Sequence, residues 1–148
     1  MAIYSGKDPL SRAIKDDARA VVKLFRGFMV KVGNIAINEA KDNFRRQGFM
    51  DRSVKRWKPR KKPDPGRAIL VKSSMLKKSI RRISVSSKRV TVGSKGKAAV
   101  YAGVHNYGLK AGRGKGFIMP KRQFLGPSHT TDKRIVILLK KTIKKGFK

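Results

Sequence analysis

One apolar stripe dominates the first third of the sequence. Its members recur at intervals of three and four residues, so they fall on one side of an α-helix whose other sides are polar. Asp8 followed by Pro9 is typical of a helix start, and Gly48 marks the predicted end. The pattern therefore predicts a helix over about residues 10–47. The stripe consists of Val21, Leu24, Phe25, Phe28, Met29, Val32, Ile35, Ala36, Ala40 and Phe44.

Such a helix would be roughly 55 Å long at about 1.5 Å per residue, which is more than a compact domain of this size covers. Gly27 and Gly33 are positions at which it can bend. We interpret the stripe as a face packed on the core of the same chain. In the alternative, the first half of the helix packs on a neighbouring subunit, and both interpretations can hold together.

The rest of the chain alternates shorter segments. Residues 49–68 are predicted to form a basic loop, because three prolines and a glycine exclude a helix interior or a central strand. Residues 83–85 and 90–92 alternate apolar and polar side chains around a polar turn, which predicts a hairpin with one buried face. Further predictions are a short strand at 68–71, one or two serine-capped helical turns at 73–80, an exposed Gly-Lys-Arg loop at 109–116 and an amphipathic helix over 128–148. Residues 98–104 can be a central strand or the start of a short helix, and we favour a strand leading into a helical turn.

Together these segments predict a single α+β domain over residues 1–148, in which a long N-terminal helix and a C-terminal helix pack on a small antiparallel β-sheet. A chain of 148 residues can bury one sizeable hydrophobic core. No stretch approaches the roughly 18 consecutive apolar residues of a membrane span, and we expect neither a signal peptide nor a membrane partner. The segments are 1–48 (helical), 49–68 (basic loop), 69–127 (β-rich) and 128–148 (helical).

Positive charge is the second constraint. The chain has 39 Lys and Arg against 8 Asp and Glu, a formal net charge of +31. Residues 1–51 hold 10 basic and 6 acidic side chains, whereas residues 52–148 hold 29 and 2. Asp64 and Asp132 cannot neutralise that surplus, so a partner must supply the anions. Nucleic acid or an acidic protein surface is the expected partner, with an anionic membrane third.

Side chains suited to catalysis are few. The chain has no Cys, two His and eight scattered acidic residues. This inventory excludes disulfides, thiolate nucleophiles and Cys-based zinc sites, and it offers little from which to build an acid–base pair. We therefore predict a protein that is not an enzyme, with no catalytic residue, no cofactor and no metal.

Two basic loops are the candidate contact sites. Arg60, Lys61 and Lys62 lie in the Pro-rich loop, and Arg113 and Lys115 lie in the Gly-rich loop. We predict that these five residues contact a partner or nucleic acid. The Gly-rich loop lacks the Ser or Thr that follows Gly-Lys in a nucleotide-binding P-loop, so we interpret it as a flexible basic arm.

Five other side chains are predicted to form the scaffold that positions these loops. Trp57 can either anchor its loop to the core or stack on single-stranded nucleic acid, and we favour anchoring. His105 can either satisfy backbone groups of a turn or form a ligand site, and we favour the structural role. The scaffold residues are Trp57, Tyr101, His105, Phe124 and Leu125.

Five short segments follow the N-terminal helix in a characteristic order: Arg56-Trp57-Lys58-Pro59, residues 69–80, a hairpin ending at residue 94, residues 101–108 and residues 119–126. In this order they resemble the phage virion morphogenesis family of tail-completion and head–tail joining proteins. The resemblance covers most of residues 20–145. Three features depart from the family pattern: Ser74 stands where a glycine is common, the segment between Lys58 and Ile69 is short, and the charge is unusually high.

The resemblance implies a structural subunit of the virion, assembled in the host cytoplasm, that forms a hexameric ring at the neck or the head-proximal end of the tail. Its partners would be further copies of itself and neighbouring neck, connector and tail-tube proteins. Basic residues facing the channel would hold the DNA end, and those facing outward would dock on acidic rings. The alternative is a monomeric RNA- or DNA-binding protein of the ribosomal or nucleoid type, which composition alone favours.

Overall fold

The computed structural model describes residues 9–62 and 64–146, and it confirms the predicted α+β class. The strands form three separate two-stranded antiparallel pairs, β1–β2, β3–β4 and β5–β6, instead of one small sheet. Asp8, the predicted cap of the first helix, lies outside the described residues. In chain order the elements are α1 (Pro9–Arg46), β1 (Gly48–Met50), β2 (Val54–Arg56), α2 (Met75–Ser79), β3 (Ile80–Val85), β4 (Val90–Ser94), a 3₁₀ helix (Gly96–Ala98), α3 (Ala99–Tyr107), β5 (Lys110–Ala111), β6 (Phe117–Ile118) and α4 (His129–Gly146).

Helix α1 has 38 residues and runs without interruption through Gly27 and Gly33. Its length is about 57 Å at about 1.5 Å per residue. Only the second half is packed: the first buried side chain is Phe28, and none of residues 9–27 is buried. The predicted stripe is therefore a core face from Phe28 onward and an exposed face before it.

The core lies where the second half of α1 meets α2, α3 and the segment before α4. Phe44 is its centre, with the Trp57 ring 5.4 Å away edge-on and the Phe124 ring 5.2 Å away. Such aromatic pairs add to the hydrophobic gain of burial. The buried apolar residues of this cluster are Ala40, Phe44, Trp57, Leu76, Ile80, Ala98, Ala102 and Phe124.

The extended segment 122–125 crosses this core and is held by side chains. Asn106 Oδ1 accepts hydrogen bonds from the backbone N–H groups of Phe124 and Leu125, at 2.9 and 3.0 Å, and its Nδ2 donates to the carbonyl of Leu125. Asn43 Nδ2 donates to the carbonyl of Phe124, and Trp57 Nε1 donates to that of Gln123. Most backbone groups of this segment thus have hydrogen-bond partners, and the segment belongs to no sheet.

The end of α1 differs from the prediction by its turn residue. Gln47 adopts the left-handed conformation (φ 53°), and its side chain bonds the carbonyl of Phe44 and both backbone groups of Ile69. Gly48 instead begins β1, where a Cβ would lie 2.7 Å from the carbonyl oxygen of Lys55. Glycine at position 48 allows β1 and β2 to approach closely. The C-terminus of α1 is instead closed by Gln47, whose side-chain amide donates to the carbonyl of Phe44 in the last helical turn.

The predicted hairpin at 83–92 is confirmed as β3–β4, which extends over residues 80–94. Its alternation is interrupted by an irregularity between Arg82 and Ser84, where the bulged Ile83 is 49% exposed. Arg82 reaches across to α1 and donates to the carbonyl of Val30 at 3.1 Å. One face of the hairpin packs on α1 on both sides of the bulge, since Val90 as well as Arg82 lies beside Gly33.

Two strand predictions are wrong. Residues 98–104 form the end of the 3₁₀ helix and the start of α3, because Ala98 and Ala102 are four residues apart and bury one helical face against the core. Residues 68–71 form a turn, since the backbone of Ile69 is bonded by Gln47 and no strand lies beside it among the described residues. The loop at 49–68 also begins with the unpredicted hairpin β1–β2.

The predicted helical turns at 73–80 are α2, but the serine cap is absent. Ser74 precedes α2 in the left-handed conformation (φ 55°), and its side chain makes no cap hydrogen bond. That conformation explains why a glycine suits this position. The C-terminal helix is confirmed as α4, which is joined to α1 by the buried Glu39, whose carboxylate accepts from Arg46 at 2.6 Å and Arg134 at 2.7 Å.

We expect alanine to have opposite effects at the two glycines of α1. A Cβ at Gly33 would lie 2.7 Å from Arg82 Cδ and 2.9 Å from Val90 Cγ2, whereas one at Gly27 would meet nothing within 4 Å. Gly27→Ala should raise the free energy of unfolding by up to about 1 kcal/mol through helix propensity. Gly33→Ala should lower it by roughly 1–2 kcal/mol through overpacking. Urea denaturation measures both, and equal effects would contradict this packing.

We expect Ser74→Gly to stabilise the protein. The left-handed conformation costs a non-glycine residue about 1–2 kcal/mol, and the greater freedom of glycine in the unfolded chain offsets part of the gain. The free energy of unfolding should rise by roughly 0.5–1 kcal/mol. Ser73→Gly is the matched control, because Ser73 is exposed and has no positive φ, and it should be neutral or destabilising.

Candidate partner-binding cleft

A cationic cleft of about 430 Å³ opens between the Pro-rich loop, α2 and α3. Its basic side chains are Arg60, Arg67, Lys72 and Arg122, against a single carboxylate, Asp64. Apolar and neutral polar side chains form the remaining surface, so the cleft combines a hydrophobic wall with excess positive charge. These are Ile69, Leu70, Ser73, Leu76, Tyr101, His105 and Met119.

The Pro-rich loop is closed on itself by Arg60. Its guanidinium donates to the carbonyls of Arg67 at 2.9 Å and Ala68 at 2.8 Å. Asp64 adds an ion pair to Arg67 at 3.0 Å and a longer one to Arg60 at 3.8 Å. These bonds give a loop without regular structure a defined conformation, and they form one wall of the cleft.

Arg122 is the most buried basic residue that lines the cleft, and it is only 7% exposed. Its Nε and Nη2 donate to the carbonyls of Lys58 and Pro59, at 3.0 and 3.2 Å. Burial, and then the charge of Arg60, lower the pKa of Arg122. A guanidinium buried against neutral carbonyls and another cation is a strong point of attraction for an anion.

His105 and Tyr101 line the opposite wall, on α3, with their rings 6.0 Å apart in an edge-on arrangement. The buried Nδ1 of His105 has no hydrogen-bond partner among the described residues. Burial, and then the neighbouring Arg122, lower the pKa of His105. The imidazole is therefore neutral near pH 7, and it adds a polar surface without adding to the positive charge.

The predicted contact residues are divided between two places. Arg60 lines the cleft but is half-buried and braces the loop, while Lys61 and Lys62 beside it are exposed. Arg113 and Lys115 are exposed at the tip of the β5–β6 hairpin and do not line the cleft. The structure thus brings only the first three together.

The predicted scaffold residues occupy the core and the cleft wall. Trp57 and Phe124 are buried in the central cluster, and Leu125 packs against it. Tyr101 also packs against that cluster and, together with His105, faces the cleft. That these five side chains position the basic loops stays a prediction.

The sequence interpretation missed Arg67, Lys72 and Arg122. No local signal separates them from the other basic residues, because the burial of Arg122 depends on carbonyls more than 60 positions earlier in the chain. A second depression adjoins the cleft at Ser73 and adds further cations without any carboxylate. These cations are Lys78, Arg81, Lys95 and Lys97.

The surface around the cleft is strongly basic. In the part of the chain that the structure covers, no three His, Asp or Glu side chains are grouped as they would be around a metal ion. None of the helices within residues 9–62 and 64–146 is long and apolar enough to cross a bilayer. The fold and the cleft together define a basic α+β protein with a cationic cleft.

The chain belongs to the phage virion morphogenesis family, whose model matches residues 8–144. This match confirms the resemblance that the ordered segments indicated. The protein accordingly has a structural or assembly role in the phage virion. No curated protein and no solved structure matches the chain.

We expect His105 to make stability depend on pH. Because its folded-state pKa is lowered from 6.5, the unfolded chain binds the proton more readily, and the free energy of unfolding falls as the pH drops below about 6.5. His105→Gln should therefore lose less stability than the wild type between about pH 8 and pH 5 in urea denaturation. His129→Gln, at the exposed His129, should keep the wild-type difference. An unchanged difference in His105→Gln would refute this.

Proposed function

We propose that the protein is a tail-completion or head–tail joining subunit that closes into a ring and docks on adjoining virion proteins. The observation that carries this proposal is the unpacked first half of α1, residues 9–27, which we call the arm. Its apolar side chains are exposed over a length of about 28 Å. An arm of this kind suits a protein that is completed by its neighbours.

The arm has a defined contact face. Leu10, Ile14, Val21 and Phe25 follow one another at intervals of four, seven and four residues, and they are 55%, 60%, 46% and 38% exposed. They lie on one side of the helix, in line with Phe28, where α1 enters the core. Burying the part of each such side chain that is still exposed would contribute roughly 1 kcal/mol, so a protein partner is favoured.

A second copy of the chain offers a surface for the arm. Helix α4 exposes Val136, Ile137 and Ile143 and has 18 residues, nearly the length of the arm. An arm that packs on α4 of the next subunit makes a head-to-tail contact. Head-to-tail contacts close into rings when the rotation permits, and the family resemblance favours six subunits.

The positive charge supports docking on other proteins. A net charge of +31 per subunit accumulates in any ring, and surface charges act over about 8 Å at physiological salt. Acidic rings of neck, connector or tail-tube proteins would neutralise that field and orient the contact. The same surplus would hold the DNA end wherever it faces the channel.

The mass of the purified protein tests the ring. After nuclease and high-salt treatment, light scattering coupled to size exclusion should give a multiple of the 16.6 kDa subunit at rising concentration. The double variant Ile14→Asn with Val21→Asn should be monomeric, because it makes the arm face polar. Arg12→Asn with Lys23→Asn is the matched control, since both side chains are exposed on the opposite side of α1, and it should oligomerise as the wild type does.

Two results would count against the proposal. One is a wild-type monomer at every concentration that binds RNA tightly, with affinity falling steeply as salt rises, which is the behaviour of a monomeric nucleic-acid-binding protein. The other is antibody labelling of purified particles away from the neck and tail. Labelling at the head–tail junction or the tail end is the expected result.

A further inference from the structure

The cleft carries positive charge that the chain itself does not balance. Asp64 is shared between Arg67 and Arg60. Arg122 and Lys72 have no carboxylate within 4.0 Å among residues 9–62 and 64–146. The hydrogen bonds of Arg122 to two neutral carbonyls fix its position and leave its charge uncompensated.

Part of the remaining surface of the cleft is apolar. Leu70, Leu76 and Met119 line it beside the charged groups, together with the ring of Tyr101. A volume of about 430 Å³ is within the range that holds a small ligand or a few side chains. The occupant that fits therefore has an anionic group attached to or followed by an apolar one.

Duplex DNA does not have that chemistry. Its phosphates lie on the outside of a wide and rigid rod, which cannot place one anionic group inside a concavity of a few side chains. It also has no apolar group to offer the walls formed by Leu70 and Met119. Exposed cations such as Lys61 and Lys62 suit a phosphate backbone better than this cleft does.

A second copy of the chain is a poor source of the anion. Five of its eight acidic residues are already in ion pairs within the chain: Asp16, Glu39, Asp42, Asp51 and Asp64. Of the other three, Asp8 lies outside the described residues, and Asp17 and Asp132 are exposed on helices among basic neighbours. Docking α1 through Asp17 or α4 through Asp132 would bring further cations to a cleft whose basic residues already outnumber its single carboxylate.

We propose that the cleft binds a short segment of another virion protein, through an acidic side chain placed beside Arg122 and Lys72 and an adjacent apolar side chain on the wall. This inference rests on the proposed docking function and names the chemistry of the partner. The carboxylate accepts hydrogen bonds from the free guanidinium N–H groups, and the apolar residue contacts Leu70 and Met119. Charge-assisted bonds of this kind are the strong ones, which suits a contact with a small area.

Nuclear magnetic resonance of the two histidines tests this directly. His105 lines the cleft and His129 does not, so the second is an internal control. The probes are the blocked peptide acetyl-Leu-Glu-Leu-amide and its neutral counterpart acetyl-Leu-Gln-Leu-amide. The acidic peptide should shift the His105 signals, leave those of His129 unchanged and bind roughly tenfold more tightly than the neutral peptide.

Matched variants locate the effect. Arg67→Gln with Lys72→Gln removes two exposed cations of the cleft and should weaken binding of the acidic peptide about tenfold. Lys140→Gln with Lys141→Gln removes the same charge from α4 and should leave binding unchanged. We avoid Arg122 itself, because its bonds to Lys58 and Pro59 also hold the loop.

Three outcomes would overturn the inference. They are equal binding of the two peptides, binding of inorganic phosphate as tight as that of the acidic peptide, and a shift of His105 by a short DNA duplex but not by peptide. Light scattering on the same samples measures oligomerisation independently of peptide binding, so the two proposals can fail separately. An arm-dependent oligomer that fails to bind the peptide refutes the cleft and leaves the proposed function standing.

Discussion

The backbone of residues 122–125 is held by side chains from three distant parts of the chain. Asn43 comes from α1, Trp57 follows β2 and Asn106 lies on α3, and each bonds a backbone group of this segment. A buried backbone group without a partner costs roughly 1–3 kcal/mol, so none of the three can be replaced by an apolar residue at small cost. The segment therefore joins α1, α3 and the Pro-rich loop into one core around Phe44.

The cleft follows from this arrangement. Arg122 begins the held segment, and its backbone N–H donates to the carbonyl of His105 at 2.8 Å. Its guanidinium is thereby fixed between α3 and the loop, where water cannot fully solvate it. Most of the cations are exposed and interact with salt, whereas this one is placed and partly desolvated by the fold. In our proposal this fixed charge gives the cleft a specificity that the general surplus of charge lacks.

Helix α1 serves two purposes that meet near Phe28. From Phe28 onward it packs on α4, β1 and the β3–β4 hairpin, and Gly33 allows that hairpin to approach closely. Before Phe28 its apolar face is exposed. A surface of this size is unusual for a chain that works alone, and it accords with the membership in a family of virion assembly proteins. In our proposal the arm provides the contact between subunits, and the basic surfaces provide the contact with other components.

The sequence alone determined the long helices and the β3–β4 hairpin, because their periodicity is a local property of the side chains. It also determined the α+β class and the family. Tertiary structure decided the rest. Residues 98–104 have no clear period, so packing of Ala98 and Ala102 against the core selected a helix. Gln47, and not Gly48, is the left-handed residue at the end of α1, because its side chain hydrogen-bonds the backbone of Ile69. Arg122 became a site only because carbonyls from the Pro-rich loop surround it, a juxtaposition that no local pattern records.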